Sequence, residues 1–394
     1  MVKQLNYNNG KPIVAIYLLA TIVSYLYVVI LGQYNGDFIS RDVKISYLEL
    51  TIILVVTCLP PLYIYYLYKK NLKYEEKSVP IIYNLGLIRN IAWIVILLQM
   101  LIRISGYGTM GADATPLDTS SPLSVIREII FKVPVLPWVI IYVLGTSYKR
   151  GVYYTIFLFC IFSIVQKSMG GIFTCGLLLL YKYPGILSYF KRHILISGLI
   201  IFFIPNIILF GYRFRDALRS GPGFNETTTV DLIGGKLCGR VSSFSNNAYI
   251  YENIITLFTL SDEIPQGFYY YDTLHYLGFR PEFKSTGNFV QREITHGKNE
   301  NYSIMAGIGG VLLISAAKGL TVFIANLALI LGAPCIIFSM TRKMGLRNAS
   351  GIALLLCIWF TVNGDSSEIA NNIYYLLFIG VILNFCKIKR HEKY

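Results

Sequence analysis

Long apolar blocks recur along this chain, from KPIVAIYLLATIVSYLYVVIL near the start to LTVFIANLALILGAPCIIF near the end, and they restrict the fold more than any other feature. A bilayer core about 30 Å thick takes about 20 apolar residues of helix, because backbone polar groups within lipid must be paired inside the segment. By that rule, spans are expected near 12–32, 47–68, 81–102, 123–146, 151–167, 169–184, 194–212, 304–340, 351–362 and 372–386. The expected fold class is an all-α polytopic membrane protein with about ten transmembrane helices and one large, partly helical loop. The loop divides the chain into an N-terminal transmembrane bundle (1–212), a loop subdomain (213–303) and C-terminal transmembrane helices (304–394). Residues 304–340 are too long for one straight helix. They are expected either to contain a half-helix ending near Lys318 or to form a broken span, and 351–362 is short for a crossing. Prolines at 60, 61, 134 and 137 are expected to bend their helices.

With 55% hydrophobic and only 14% charged residues, the composition excludes an ordinary soluble core. The net charge of +14 does not point to nucleic acid, because the Lys and Arg gather at the ends of apolar blocks and form no basic face or known nucleic-acid motif. Seven cysteines are scattered singly, which supports neither a zinc site nor a disulfide framework. The first apolar run is too long for a signal peptide and has no small-residue cleavage site, so it reads as a retained span.

Lys and Arg in short loops mark the cytoplasmic side. With the N-terminus inside, the inner segments are KKNLKYEEK, SYKRG, YKYPGILSYFKRH, TRKMGLR and CKIKRHEKY, and every one is basic. Both termini are then cytoplasmic and the large loop lies outside.

That orientation makes the arginines of the large loop informative. Arg213, Arg215 and Arg219 follow directly on an apolar run, and Arg240, Arg280 and Arg292 lie further along the loop. A guanidinium keeps its charge and presents a planar fork of donors that matches phosphate oxygens, so such a cluster could hold a phosphorylated lipid head group. The competing reading is that these side chains only snorkel to lipid phosphates or pair with loop acids. Lys318, deep in 304–340, would extend the positive region inward. A general base on a sugar hydroxyl could come from His275, His296, Glu252, Asp272 or Glu282, and no histidine sits in a metal-ligand spacing. The aromatics Tyr269, Tyr270, Tyr271, Tyr276 and Phe279 could stack on sugars or form the core of the loop.

In order, GYRFR, then GRVSSFSNNAYIYENIITLFTLSDEIPQGFYYYD, then HGKNENYSIMAGIGGVLL resembles the O-antigen ligase and polymerase superfamily, most closely a Wzy-type polymerase of bacterial surface polysaccharide. The resemblance spans roughly 205 to 315 and rests on the order of its motifs: an arginine entering the loop, a second arginine before a helical run with Pro265 and Gly267, and a His/Asn stretch before Gly307, Gly309 and Gly310. The ligases' paired histidine is absent, with Lys298 near its place, and the aromatic usual after the second arginine is missing. Both departures favour polymerase over ligase.

The resemblance implies glycosyl transfer in the bacterial inner membrane without nucleotide sugar, metal or other cofactor. The donor would be a glycan on undecaprenyl pyrophosphate, and the acceptor a sugar hydroxyl at the non-reducing end of another lipid-linked unit. Membrane lipids and a chain-length regulator are the other partners it suggests. Arg213, Arg215 and Arg240 would hold the pyrophosphate, and His296 or Glu252 would take the acceptor proton. The alternatives are a flippase of the same lipid-linked units, for which two related halves and short loops are expected, and the ligase.

Overall fold

A computed structural model describes residues 9–38, 41–105, 122–193, 206, 209–211, 213–214, 217, 231–264, 286–296, 304–364 and 366–388. These residues are overwhelmingly helical. No strand occurs among them, only two isolated bridges, Gln33 with Asp42 and Tyr83 with Lys387. The N-terminal part comprises α1 (Gly10–Leu31), α2 (Tyr47–Glu75), α3 (Leu85–Ile104), α4 (Pro122–Lys132), α5 (Leu136–Gly145), α6 (Lys149–Val165), α7 (Gly170–Lys182) and α8 (Gly185–Arg192). The large loop contributes α9 (Phe244–Glu252) and α10 (Ile254–Thr259). The C-terminal part comprises α11 (Gly307–Lys318), α12 (Leu320–Lys343), α13 (Ala349–Ile358), α14 (Phe360–Asn363) and α15 (Ser366–Phe385).

Among the described residues, six helices are long and apolar enough to cross a membrane: α1, α2, α3, the combined α4–α5 stretch, α12 and the body of α15. Three shorter apolar helices, α7, α11 and the α13–α14 pair, fall below that length. The count expected from hydropathy was about ten. Most of its 194–212 segment lies outside the described residues, and the expected spans at 151–167, 169–184 and 351–362 correspond to the shorter helices α6, α7 and α13–α14.

The distribution of side chains on α1 is that of a lipid-facing helix. Leu19, Ile22, Val23, Leu26 and Ile30 form an exposed stripe, while Thr21 and Ser24 are buried on the opposite face. In water this polarity would be reversed; with lipid as the solvent, polar side chains turn inward to find partners.

The α4–α5 break follows from its prolines. Pro134 and Pro137 lack the N–H groups that would pair with the carbonyls of Ile130 and Val133, four residues earlier. The buried Gln99 side chain of α3 supplies both, with Nε2 donating to Ile130 O at 2.9 Å and Val133 O at 2.8 Å. By contrast, α2 continues as one helix through Pro60 and Pro61.

The described parts of all five basic segments meet at one end of the bundle. Ile81 N donates to Gly345 O at 2.9 Å, Asn84 N to Cys386 O at 2.8 Å, Asn348 Nδ2 to Leu144 O at 2.7 Å, and Ser350 N to Glu75 Oε2 at 3.1 Å. Lys182 Nζ donates to the carbonyl of Thr146, and Asn9 Nδ2 to Tyr181 O at 3.0 Å. The first connection, residues 32–46, lies at the opposite end, between the end of α1 and the start of α2.

Residues 304–340 are not one span. At Gly319, with φ of 143°, the chain reverses, and Asn326 Nδ2 donates to Ser315 Oγ. In a continuous helix these two residues would be about 16 Å apart, so α11 and α12 run antiparallel. At 12 residues, α11 rises about 18 Å, too little to cross. It is the half-helix alternative, and it leaves residues 341–347 with the other basic segments.

Candidate functional site

The first connection does not lie across the top of the bundle. It folds back into it. Gly32 and Gly36 have φ of 66° and 68°, Tyr34 N donates to Arg41 O at 2.8 Å and Val43 N to Gly32 O at 3.0 Å, so the segment doubles on itself. Its tip reaches Asn35, whose Oδ1 accepts from Ser24 Oγ at 2.9 Å and from Ser245 Oγ, while Nδ2 donates to Gly234 O at 2.7 Å. Ser24 is two turns before the end of α1, about 10 Å down the helix. The polar tip is therefore inside the bundle, and its hydrogen bonds make that position tolerable.

The large loop comes in to meet it. After a π-helical turn, Asp231–Cys238, the chain reaches Gly239 against Gly36 so closely that a Cβ on Gly36 would lie 2.7 Å from Gly239 O. Only glycine at both positions permits this approach. The next residue in each strand of chain is charged, and the two pair: Arg240 Nη2 lies 2.8 Å from Asp37 Oδ1. The Asp37 side chain is 1% exposed and that of Arg240 36%. Asp37 Oδ2 also accepts from Asn246 Nδ2 at 3.2 Å and from Met305 N at 3.4 Å. A buried carboxylate is sustained by such a set of donors rather than by the ion pair alone.

From Phe244 to Ile250, α9 is buried on every face, although it carries Ser245, Asn246 and Asn247. It packs against α1, α2 and α11. Asn247 ties α9 to two of these elements, accepting from Gly310 N of α11 at 2.9 Å and donating to Thr57 Oγ1 of α2 at 3.0 Å. The glycines opening α11 make room for it, since a Cβ on Gly307 or Gly309 would sit 2.6 or 2.9 Å from atoms of the Asn247 amide. The GIGG motif thus serves close packing of a half-helix on a buried polar one.

Nearer the surface, Glu252 Oε2 accepts from Tyr34 Oη and from Lys44 N, both at 2.8 Å. Burial first, and then this carboxylate, raise the Tyr34 phenol above its ordinary pKa, so it remains the donor. Arg41 Cζ lies 5.0 Å from the Tyr249 ring centroid and 5.8 Å from that of Phe38, and its guanidinium also donates to the Tyr249 hydroxyl.

The site residues expected from sequence are thus only partly gathered. Arg240 and Glu252 lie at the two ends of the buried α9 region. Lys318 is elsewhere: it is at the far end of α11, about 16 Å from Gly307, and its Nζ donates to Ser261 O at 2.9 Å. Arg292 stands 3.8 Å from its neighbour Glu293. His296 is exposed with φ of 54°, and no hydrogen bond among the described residues joins it to Arg240, Asp37 or Glu252. Arg213 is exposed, two residues after Gly211, whose Cβ would lie 2.9 Å from Met169 Cε. Arg215, Arg219, Arg280, His275, Asp272, Glu282 and the Tyr269–Phe279 aromatics lie outside the described residues.

Sequence reading missed Asp37, Asn35, Arg41, Asn246 and Asn247. The signals were NGDF between two apolar blocks and SNN inside an otherwise apolar helix. No protein-family model, curated protein or solved structure matches this chain.

Proposed function

We propose that the chain is a membrane glycosyltransferase that polymerises lipid-linked oligosaccharide repeat units, moving the growing glycan from undecaprenyl pyrophosphate to the non-reducing end of another such unit. The observation that carries this reading is the Arg240 site. A guanidinium oriented by a buried carboxylate sits at the end of the bundle away from the basic segments, where topology does not call for a cation. On this reading the basic end faces the cytoplasm, and the site opens outside the inner membrane.

Arg240 contributes a donor fixed in place before the substrate arrives. Asp37 lies against one nitrogen of the fork, and the Arg240 side chain is 36% exposed. As the bond between anomeric carbon and pyrophosphate breaks, the leaving group takes the electron pair, and a preoriented cation stabilises that charge most where it develops. Meanwhile the acceptor hydroxyl oxygen bonds to the anomeric carbon and gives its proton to His296 or Glu252. Because Glu252 Oε2 already accepts two hydrogen bonds, Oε1 is the atom of that residue for the task. Arg213, Arg215, Arg219, Arg280 and Arg292 enter as further phosphate contacts on the sequence argument alone.

A second reading, a flippase of the same lipid-linked units, is favoured by the α11 half-helix, since discontinuous helices often form transport sites. Deletion of the gene in its host separates the readings. Single repeat units capped on the surface lipid support a polymerase, whereas loss of all surface glycan, with lipid-linked product accumulating, supports a flippase or a ligase.

A further inference from the structure

Between α12 and α15, at the basic end, lies a cavity of about 250 Å³ that plays no part in the proposed transfer reaction. Its walls are mostly apolar, formed by Ile81, Met340, Met344, Leu376 and Leu383, with Tyr83 and Asn384 beside them. The absence of a side chain at Gly380 leaves the groove open, since a Cβ there would already be 3.1 Å from Met344 Cε. Two lysines line the cavity, Lys343 in the last turn of α12 and Lys387 just beyond α15. Both are exposed, no carboxylate lines the cavity, and neither lysine forms an ion pair among the described residues.

We propose that this groove binds one anionic phospholipid of the surrounding leaflet, with a stretch of acyl chain between α12 and α15 and the phosphate on Lys343 and Lys387. Three observations select this occupant. The cavity is smaller than the ~300–1,000 Å³ of pockets that enclose a whole drug-sized ligand, so it holds only part of one. Leu377, Val381 and Phe385 of α15 and Ile336 of α12 stand exposed nearby, which places the groove beside lipid-facing surface. The lining charge is entirely positive, and basic pockets between membrane helices suit acidic lipid head groups.

The test uses the full chain reconstituted with equal amounts of phosphatidylglycerol and phosphatidylethanolamine, with retained lipids counted by native mass spectrometry. The wild type is expected to keep phosphatidylglycerol preferentially. Each lysine near a surface contributes about fivefold toward an acidic lipid, so K343Q/K387Q is expected to lower that retention by about tenfold or more. G380L, which fills the groove and leaves both lysines, is expected to lower retention of both lipids. K70Q/K73Q, which changes two lysines of the same end outside the groove, is expected to leave the preference intact. Equal retention of the two lipids by the wild type, unchanged preference in K343Q/K387Q, or an equal loss in K70Q/K73Q would overturn the proposal.

Discussion

The Arg240 guanidinium lies 2.8 Å from the carboxylate of Asp37, so a residue of the large loop is paired with one from the first connection of the chain. The pair joins two segments that separately would leave charge inside the bundle. Gly36 and Gly239 allow the approach, and Asn246 with Met305 N supplies the remaining hydrogen bonds.

Removing one member of that pair should cost more than removing both. Arg240→Ala leaves an uncompensated buried carboxylate, which costs about 3 kcal/mol. Adding Asp37→Asn should recover part of the loss, with a coupling energy of about 2 kcal/mol in a double-mutant cycle. Unfolding of the purified variants in detergent measures it, and strictly additive losses would show that the two side chains do not depend on each other.

Gln99 should matter out of proportion to its exposure. Gln99→Leu leaves the Val133 carbonyl without the donor that replaces its proline-blocked partner, while the Ile130 carbonyl keeps only the bond from Val133 N at 3.2 Å. An orphaned carbonyl costs about 1–3 kcal/mol, so the variant should unfold at a lower temperature. Gln99→Glu, which lacks the amide donor when ionised, should behave no better.

The reversal at Gly319 can be tested by cross-linking. In a background without native cysteines, S315C/N326C should react with a short bis-maleimide, because the two native side chains are hydrogen-bonded across α11 and α12. A single continuous helix would hold the sites about 16 Å apart and give no short cross-link.

Thiol labelling tests the orientation. In the same background, Lys44→Cys and Asp262→Cys should react with an impermeant maleimide on intact cells, while Lys70→Cys and Arg347→Cys should react only after permeabilisation. The reverse pattern would place the Arg240 site on the cytoplasmic side and remove the topological argument for it.

Much of the architecture was legible because lipid imposes a length and a charge rule. The first three spans emerge as α1, α2 and α3 within a few residues of expectation, apart from the extension of α2 to Glu75, and the described parts of the five basic segments converge. Hydropathy is blind to direction, so it could not show that 304–340 turns back at Gly319. Arg240 and the glycines after Ala306 were visible as motifs. Asp37 was not, because NGDF looks like any polar turn until Gly239 is brought against Gly36. Lys318 was misleading for a related reason: depth in an apolar run suggested a cavity, whereas the residue ends a half-helix and bonds the Ser261 carbonyl.

The most direct test of the account is the chain-length distribution of the surface polysaccharide in a deletion strain complemented with Arg240 variants that accumulate in the membrane at the wild-type level. Arg240→Ala should yield only single capped repeat units. Arg240→Lys, which keeps the charge beside Asp37 and loses the fork, should yield shortened chains. A wild-type distribution of long chains from Arg240→Ala would contradict it.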